Sequence, residues 1–286
     1  MAPSRVENRP IEAFDKEALV QRNPRIDFAA VQGSRPSYNH TQTWQWTKTT
    51  DPNWQPGDGA TSSTWKDYAL FSIDPHSPTR THNQNYKIMI SSTVTRPIAL
   101  VSSVSPSDVQ ILAPFSYFNA VSVDPPLYSV SFVGTEPNDS LTNVLESGEC
   151  CISIVSDWFL EAVNFPSVNT PRHIGEWRVS GLHPKPSIKV HALHVGESAF
   201  SIEYKVGEDG EWVRTATLVL FEAVMYHVRD DAIDEKMKTV DIGVLRPVWR
   251  GGGITYGSCF GGWKTERPKA FRELNETQRV QSLNRS

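Results

Sequence analysis

Short apolar runs recur through the middle of the chain and predict β-strands. From residue 128 to 132, apolar and hydroxyl side chains alternate, so Tyr128, Val130 and Phe132 share one face of a strand. Runs rich in β-branched and small apolar residues predict further strands at 87–94, 97–104, 150–155, 200–206 and 217–228. Turn-forming residues predict chain reversals at 105–108, 124–126 and 207–210. Many short strands of this kind indicate a closed or half-closed antiparallel barrel, a mainly β fold.

Three segments predict short helices between or after these strands. Asn138 or Asp139 can cap a helix over residues 140–147, which Gly148 ends. Ser156 can cap a second helix over residues 157–164. A third helix is predicted over residues 268–280, because a proline stands near its first turn.

The first 85 residues have a different pattern, with little helical or alternating period. They contain four of the nine tryptophans among Pro, Gly, Asp, Ser and Thr. Because tryptophan is costly to leave in water, we expect this extension to pack on the main domain or on a partner subunit. A partly disordered tail is the alternative. The resulting plan is an extension over 1–85, a core domain over 86–262 and a helical tail over 263–286.

Composition excludes several classes of function. The 286 residues are 38% hydrophobic and 21% charged, which is typical of an ordinary globular chain. The net charge of −4 gives no reason to expect nucleic-acid binding or adsorption to an acidic membrane. The first residues lack an apolar signal segment, and three cysteines are an odd number, so we expect free thiols and a cytoplasmic location.

The predicted helix start at residue 138 is a candidate anion site. Unpaired N–H groups and the positive end of the helix dipole suit a phosphate, and Ser140 adds a hydroxyl. Taken alone, these residues favour an ordinary capped helix.

Residues 112–119 are a candidate site for a flat ring. Pro114 removes a backbone donor and restricts Ala113 to extended geometry, while Ser116 is small and Phe115 offers stacking area. A strand with ordinary core aromatics is the alternative.

Other searches for chemistry find little. The glycines at 251–257 do not fit the dinucleotide pattern G-x-G-x-x-G. His191 and His194 lie three residues apart, which places them on opposite faces of a strand, so we expect solvent-facing histidines rather than a metal site. Cys150 and Cys151 lie in an apolar run and are expected to be buried. No acid–base pair stands out, so the catalytic residues stay unknown.

Several blocks of sequence, in order, resemble the flavin reductase-like family of FMN-binding split barrels. They are RPIALVSSVS (96–105), LAPFSYFNAVSVDPPL (112–127), NDSLTNVLESGECCISIV (138–155), SDWFLEAVN (156–164), SGLHPKPS (180–187) and PVWRGGGITYG (247–257). The resemblance covers residues 86–262, and the extension is similar to that of a longer subgroup.

The resemblance implies a split β-barrel of Greek-key type with about six strands. It also implies a homodimer with FMN near the interface, FAD being the alternative. The cofactor-binding residues that it implies are Ser102 and Ser103 at the ring or ribityl chain, Ala113, Pro114, Phe115 and Ser116 at the ring edge, Phe132 near the ring, and Asn138, Asp139 and Ser140 at the phosphate.

The sequence departs from the family pattern at several positions, among them Arg250-Gly251-Gly252 where the family has Arg-Leu-Gly-Gly. Ile111 stands where the family has Asn, Asn138 where it has Lys, and Ser140 where it has Thr. The absent lysine removes a charge-assisted phosphate contact that is typically worth about 1.5–3 kcal/mol. Arg172 or Arg178 is a candidate replacement.

The resemblance implies an FMN-dependent oxidoreductase that takes hydride from NAD(P)H and acts on a small molecule. The flavin then supplies the chemistry, which explains why no acid–base pair is visible. His227 and Arg250 are candidate contacts to the second substrate. Two alternatives stay open: a tailoring enzyme that retains FMN and acts on a specific organic substrate, and a non-catalytic flavin-binding protein.

Overall fold

A computed structural model describes residues 28–67, 71–79, 81–134, 137–164, 167, 176–213, 216–264 and 278–283. The chain divides into two compact units, Met1–Gln42 and Thr43–Ser286. In the described part of the first unit, one short helix, α1 (Phe28–Gly33), precedes irregular chain in which the Asn39 side chain accepts hydrogen bonds from Thr41.

The second unit contains all the described strands. In chain order these are β1 (Gln45–Trp46), β2 (Arg96–Pro97), β3 (Ala99–Val104), β4 (Gln110–Phe115), β5 (Phe118–Val123), β6 (Pro126–Val133), β7 (Glu149–Ile154), β8 (Pro184–Lys185), β9 (His194–Val195), β10 (Phe200–Val213), β11 (Ala216–Val228), β12 (Val248–Arg250), β13 (Tyr256–Ser258) and β14 (Gly261–Gly262). Its helices are α2 (His82–Ser92), α3 (Asp139–Ser147), α4 (Leu160–Asn164), α5 (Glu176–Ser180), α6 (Ile242–Leu245) and α7 (Gln278–Leu283), with 3₁₀ turns at Thr64–Asp67, Asp157–Phe159 and Asp230–Ala232.

Seven of these strands form one antiparallel sheet in the order β4-β3-β7-β10-β11-β6-β5. The sheet curls into a half barrel. A second sheet of three strands joins β13, β12 and β2. The predicted alternation in β6 is confirmed, because Val130 and Phe132 are buried in the main core and Tyr128 packs against them.

Two apolar cores cover the two faces of the main sheet. The first joins inward side chains such as Phe132, Tyr204 and Phe221 to Leu141 and Val144 of α3. The second joins residues on the opposite face to the short helices and β12. Each buried side chain of this size contributes roughly 1.5–3 kcal/mol through removal of apolar surface from water.

The predicted helix after β6 is confirmed. The side-chain oxygen of Asn138 accepts a hydrogen bond from the Leu141 N–H at 2.9 Å, and Gly148 ends the helix with a φ of 71°. Cys150 and Cys151 are buried as expected, and burial raises the pKa of both thiols.

The strand predicted at 87–94 is wrong, because α2 occupies most of it. Thr81 begins this helix with a capping box, in which its side chain accepts from the Gln84 N–H and the Gln84 side chain accepts from the Thr81 N–H. A short apolar run cannot separate strand from helix by period alone, and the polar residues before it set the helix start.

Two smaller predictions are also wrong. The turn predicted at 207–210 is part of β10, which absorbs these residues at a register shift between Val206 and Gly210. The Ser156 hydroxyl does not cap the helix that follows, because it donates to the Leu245 carbonyl at 2.6 Å. Residues 268–277 of the predicted tail helix lie outside the described residues, and α7 begins at residue 278, within the last part of that prediction.

Candidate functional site

A groove of about 210 Å³ opens beside the end of β4. Pro114 and Phe115 of β4, with Ser116 and Tyr117 directly after it, form one wall. The Ser131 N–H on β6 donates to the Tyr117 carbonyl at 2.9 Å, which fixes this wall to the sheet. A smaller cavity of about 30 Å³ adjoins the same segment.

The opposite wall comes from α2 and from the glycine-rich chain after β12. Tyr86 and Ile90 lie four residues apart, so they face the groove from the same side of the helix. Arg250, Gly251 and Gly253 complete this wall.

Arg96 ties the two parts of that wall together. Its Nη1 donates to the carbonyls of Ile90 and Thr93, each at 2.7 Å, and its Nη2 donates to the Gly251 carbonyl at 2.6 Å. The side chain is buried and lines the groove, and its Nε has no hydrogen-bond partner among the described residues. The guanidinium therefore holds the end of α2 against the glycine segment.

Arg250 is the second guanidinium of the groove and lines both cavities. Its Nη1 donates to the Tyr256 hydroxyl, and its Nη2 donates to the Gly253 carbonyl at 3.0 Å. The Tyr256 hydroxyl in turn donates to Asn164 Oδ1 at 3.0 Å. Among the described lining residues there is no carboxylate, so the groove carries positive charge.

The start of α3 follows the groove along the chain. Val133 lines the groove at the end of β6, and Asn138 stands five residues later. The Asn138 side chain is exposed, Asp139 is half-buried, and Ser140 is 2% exposed. The helix start therefore offers N–H groups and the positive end of a dipole next to the loop that leaves the groove.

The structure brings only some of the predicted cofactor residues to the groove. Pro114, Phe115 and Ser116 line it, and half-buried Ala113 precedes them on β4. Phe132 is buried behind Phe115, with ring centroids 4.7 Å apart in an edge-to-face contact.

Ser102 and Ser103 lie away from the groove surface, since both are buried in β3. The Ser102 hydroxyl donates to the Leu193 carbonyl, and the Ser103 hydroxyl accepts from Asn143 Nδ2 at 3.3 Å. A role for these two serines toward a flavin stays a prediction. Of the two candidate replacements for the missing lysine, Arg172 lies outside the described residues, and Arg178 is exposed on α5.

The structure places the two residues predicted to contact the second substrate, Arg250 and His227, in different surroundings. Arg250 lines the groove, whereas the His227 Nε2 hydrogen-bonds to buried Glu203. The His227 ring stacks on His194 with centroids 4.3 Å apart, so His194 is half-buried rather than in solvent as expected. Burial and then the neighbouring His227 lower the pKa of His194.

Sequence reasoning missed Tyr86, Ile90 and Arg96. Ile90 falls in the strand predicted at 87–94 and Tyr86 lies directly before it, and only the capping signal at Thr81 and Gln84 could have revealed the helix. Arg96 begins a strand block in the sequence, and no local pattern reveals its contact with Gly251, which lies 155 residues away.

A family model described as a flavin reductase like domain matches residues 91–244, more than half of the chain. The chain belongs to this family. Membership supports a flavin-related oxidoreductase with a flavin cofactor.

Solved structures agree with this assignment. Nitrilotriacetate monooxygenase component B from Bacillus cereus is 27% identical with a TM-score of 0.63, and the match covers 71% of this chain and 100% of that one. The 2-nitrobenzoate 2-nitroreductase NbaA from Pseudomonas fluorescens is 25% identical with a TM-score of 0.61, over 66% of this chain and 93% of that one. A split barrel domain protein from Shewanella frigidimarina is 18% identical with a TM-score of 0.62, and the match covers 71% of this chain and 100% of that one. The predicted split-barrel fold is therefore confirmed.

The matched region of this flavin reductase-like chain does not contain the whole groove. Tyr86 and Ile90 lie before residue 91, and Arg250, Gly251 and Gly253 lie after residue 244. The described residues include no helix with both the length and the apolar character needed to cross a membrane.

Proposed function

We propose that this flavin reductase-like chain binds FMN and passes hydride from NAD(P)H to the flavin, and then to free flavin or an organic acceptor. The observation that carries the proposal is the groove itself. It combines a wall at Pro114–Ser116, two guanidiniums and no described carboxylate, and Val133 at its β6 edge precedes the N-cap of α3 by five residues in sequence.

The residues present fit a flavin ring. Extended backbone at Ala113 and Pro114, with the hydroxyl of Ser116, would line the ring edge. Phe115 is held from behind by Phe132, so this wall is rigid. When bound, FMN supplies the atom that accepts hydride, and the protein supplies orientation and electrostatics.

Arg96 is the residue best placed to favour negative charge in the groove. A buried cation in a low-dielectric site stabilises charge that develops on a ligand more strongly than the same group does in water. Its carbonyl partners leave the guanidinium charge without a carboxylate to cancel it.

We propose the start of α3 as the phosphate site. Asn138 and Ser140 would contribute with backbone N–H groups of the first turn, while the carboxyl group of Asp139 opposes an anion. FAD is the alternative cofactor, and we propose a homodimer with the flavin near its interface, as the family resemblance implies.

A second candidate function is reduction of a specific organic substrate with retained FMN. The wall formed by Tyr86, Ile90 and Arg250 carries an aromatic ring and a cation, which suit an organic anion. The nitroreductase neighbour, which is named for 2-nitrobenzoate, supports this candidate.

Titration of the purified protein with FMN and with riboflavin tests the proposal. We expect FMN to bind more tightly than riboflavin, and the Ser116→Val variant to weaken binding of both. Steady-state oxidation of NAD(P)H then separates the two candidates: rapid reduction of added FMN supports the first, and slow reduction with retained flavin supports the second. No binding of either flavin would refute both.

A further inference from the structure

The groove has one wall from the matched family region and one wall from outside it. The second wall carries an aromatic ring, Tyr86, and a cation, Arg250. Tyr86 is 43% exposed, so its ring is available at the rim, and Arg250 is half-buried where the two cavities meet.

We propose that Arg250 binds the anionic group of the second ligand, a planar ring that carries a carboxylate or a phosphate, and that Tyr86 covers the ring. This inference rests on the proposed function, because the ligand shares the groove with the flavin. The ligand class includes an aromatic acid and a nicotinamide nucleotide, which present the same chemistry to the guanidinium.

Arg250 retains the donors that such a ligand needs. A guanidinium carries five N–H donors, and the described contacts of Arg250 use one on Nη1 and one on Nη2. Those contacts fix its orientation, with the cation 4.8 Å from the centroid of the Tyr256 ring. Among the described residues no carboxylate pairs with it, so its charge is available to an incoming anion.

The wall around Arg250 is pre-organised. A Cβ at Gly252 would lie 3.3 Å from Ser91 Cβ, which is a tight contact, so glycine favours the close approach of this segment to the end of α2. The Arg96 Nη2 contact to the Gly251 carbonyl fixes the same junction. A wall that is already ordered loses little entropy when a ligand binds.

Arg96 does not fit the same role. It is buried, and its Nη1 and Nη2 atoms donate to three backbone carbonyls that hold the wall together. Arg250 is therefore the cation with accessible donors, and Arg96 is the positioning residue behind it.

Ligand pairs that differ only in charge test the proposal on the FMN-loaded protein. Binding of benzoate and of benzamide is measured by perturbation of flavin absorbance, and the two are compared in the wild type and in Arg250→Met. We expect the wild type to prefer benzoate, and the substitution to lower this preference about tenfold to a hundredfold, because a hydrogen bond to a charged group contributes about 1.5–3 kcal/mol.

A second pair, reduced nicotinamide mononucleotide and reduced nicotinamide riboside, identifies the source of the anion. If Arg250→Met loses the preference for the mononucleotide over the riboside, Arg250 binds the phosphate of the hydride donor. If it loses the preference for benzoate over benzamide, Arg250 binds the carboxylate of an acidic substrate. Either loss supports the proposal. Unchanged preferences in both pairs would overturn it.

Three further variants serve as controls. Arg250→Lys keeps the charge, so we expect it to retain part of the preference even if Arg250→Met folds poorly. Arg229→Met removes an exposed arginine that pairs with Asp231 outside the groove, and no change is expected. Tyr86→Ala should weaken both benzoate and benzamide about twofold to tenfold and leave their ratio unchanged.

Flavin binding separates failure of this inference from failure of the proposed function. If Arg250→Met instead abolishes the preference for FMN over riboflavin, the residue holds the flavin phosphate, and the inference is wrong while the function stands. If the wild type binds no flavin, the proposed function itself fails.

Discussion

Replacement of Glu203 by glutamine should cost about 3–5 kcal/mol of stability at neutral pH. Glu203 is 0% exposed on β10. Its Oε1 accepts from the Ile188 N–H at 2.7 Å and from His227 Nε2, and its Oε2 accepts from the Lys189 N–H at 2.5 Å. The carboxylate therefore fastens the loop between β8 and β9 to the main sheet.

The magnitude follows from these three contacts. In Glu203→Gln, an NH2 group replaces one carboxylate oxygen and faces a backbone N–H group. Two donors then meet, and a buried donor left without an acceptor costs about 1–3 kcal/mol. The two remaining contacts change from charge-assisted to neutral hydrogen bonds, a loss of roughly 1 kcal/mol each.

The loss of stability caused by Glu203→Gln should be smaller at acidic pH than at neutral pH. Burial raises the pKa of Glu203, but the hydrogen bonds from Ile188, His227 and Lys189 outweigh burial, and the pKa lies below its ordinary value. A carboxyl group of this kind stabilises the fold above its unfolded pKa of about 4.3, and this contribution is lost as pH falls through the folded pKa. His194, whose pKa is also lowered, causes a separate loss that begins near pH ~6.5 in both proteins.

Urea unfolding of both proteins at pH 8, 6, 5 and 4 measures the effect. The matched control is Glu197→Gln, because Glu197 also accepts from a histidine, His183, whose side chain is 80% exposed. We expect the control to cost less than about 1 kcal/mol, as exposed pairs do. A difference between wild type and Glu203→Gln that stays constant from pH 8 to pH 4 would refute the role of the charge.

Three further substitutions have defined outcomes. Phe132→Ala should lower the free energy of unfolding by about 3–5 kcal/mol in chemical denaturation, because the side chain is buried against Phe115 and Phe221. Gly148→Ala should cost about 1–2 kcal/mol by the same assay, since its φ of 71° strains any L side chain although no neighbour obstructs a Cβ. Asn138→Ala should cost about 1 kcal/mol of stability through loss of the helix cap, and FMN titration should show weaker binding while riboflavin binding is unchanged.

Local signals in the sequence were sufficient for much of the fold. The alternation at 128–132 and the Asn138 and Gly148 caps act over a few residues, and the structure confirms each of them. The same short range explains the errors. At 207–210 glycine and aspartate favour a turn in isolation, but pairing of β10 with β11 overrides that preference.

The sequence predicted one wall of the candidate site, and on the opposite wall it predicted only Arg250. Pro114, Phe115 and Ser116 are contiguous, so a single block of sequence placed them together. The opposite wall depends on contacts between residues far apart in sequence, such as Arg96 with Gly251, and no period or spacing encodes them.

The charge of the groove depends on how Arg96 is buried. A buried guanidinium ordinarily needs a carboxylate partner, and that partner would cancel its field. Here the partners are the carbonyls of Ile90, Thr93 and Gly251, the first two at the C-terminal end of α2, where the helix dipole is negative. Carbonyl groups satisfy the donors but carry no net charge, so the groove keeps its positive charge. The carbonyls at the C-terminal end of α2 therefore contribute to the electrostatics of the site, while Tyr86 and Ile90 of the same helix contribute to its shape.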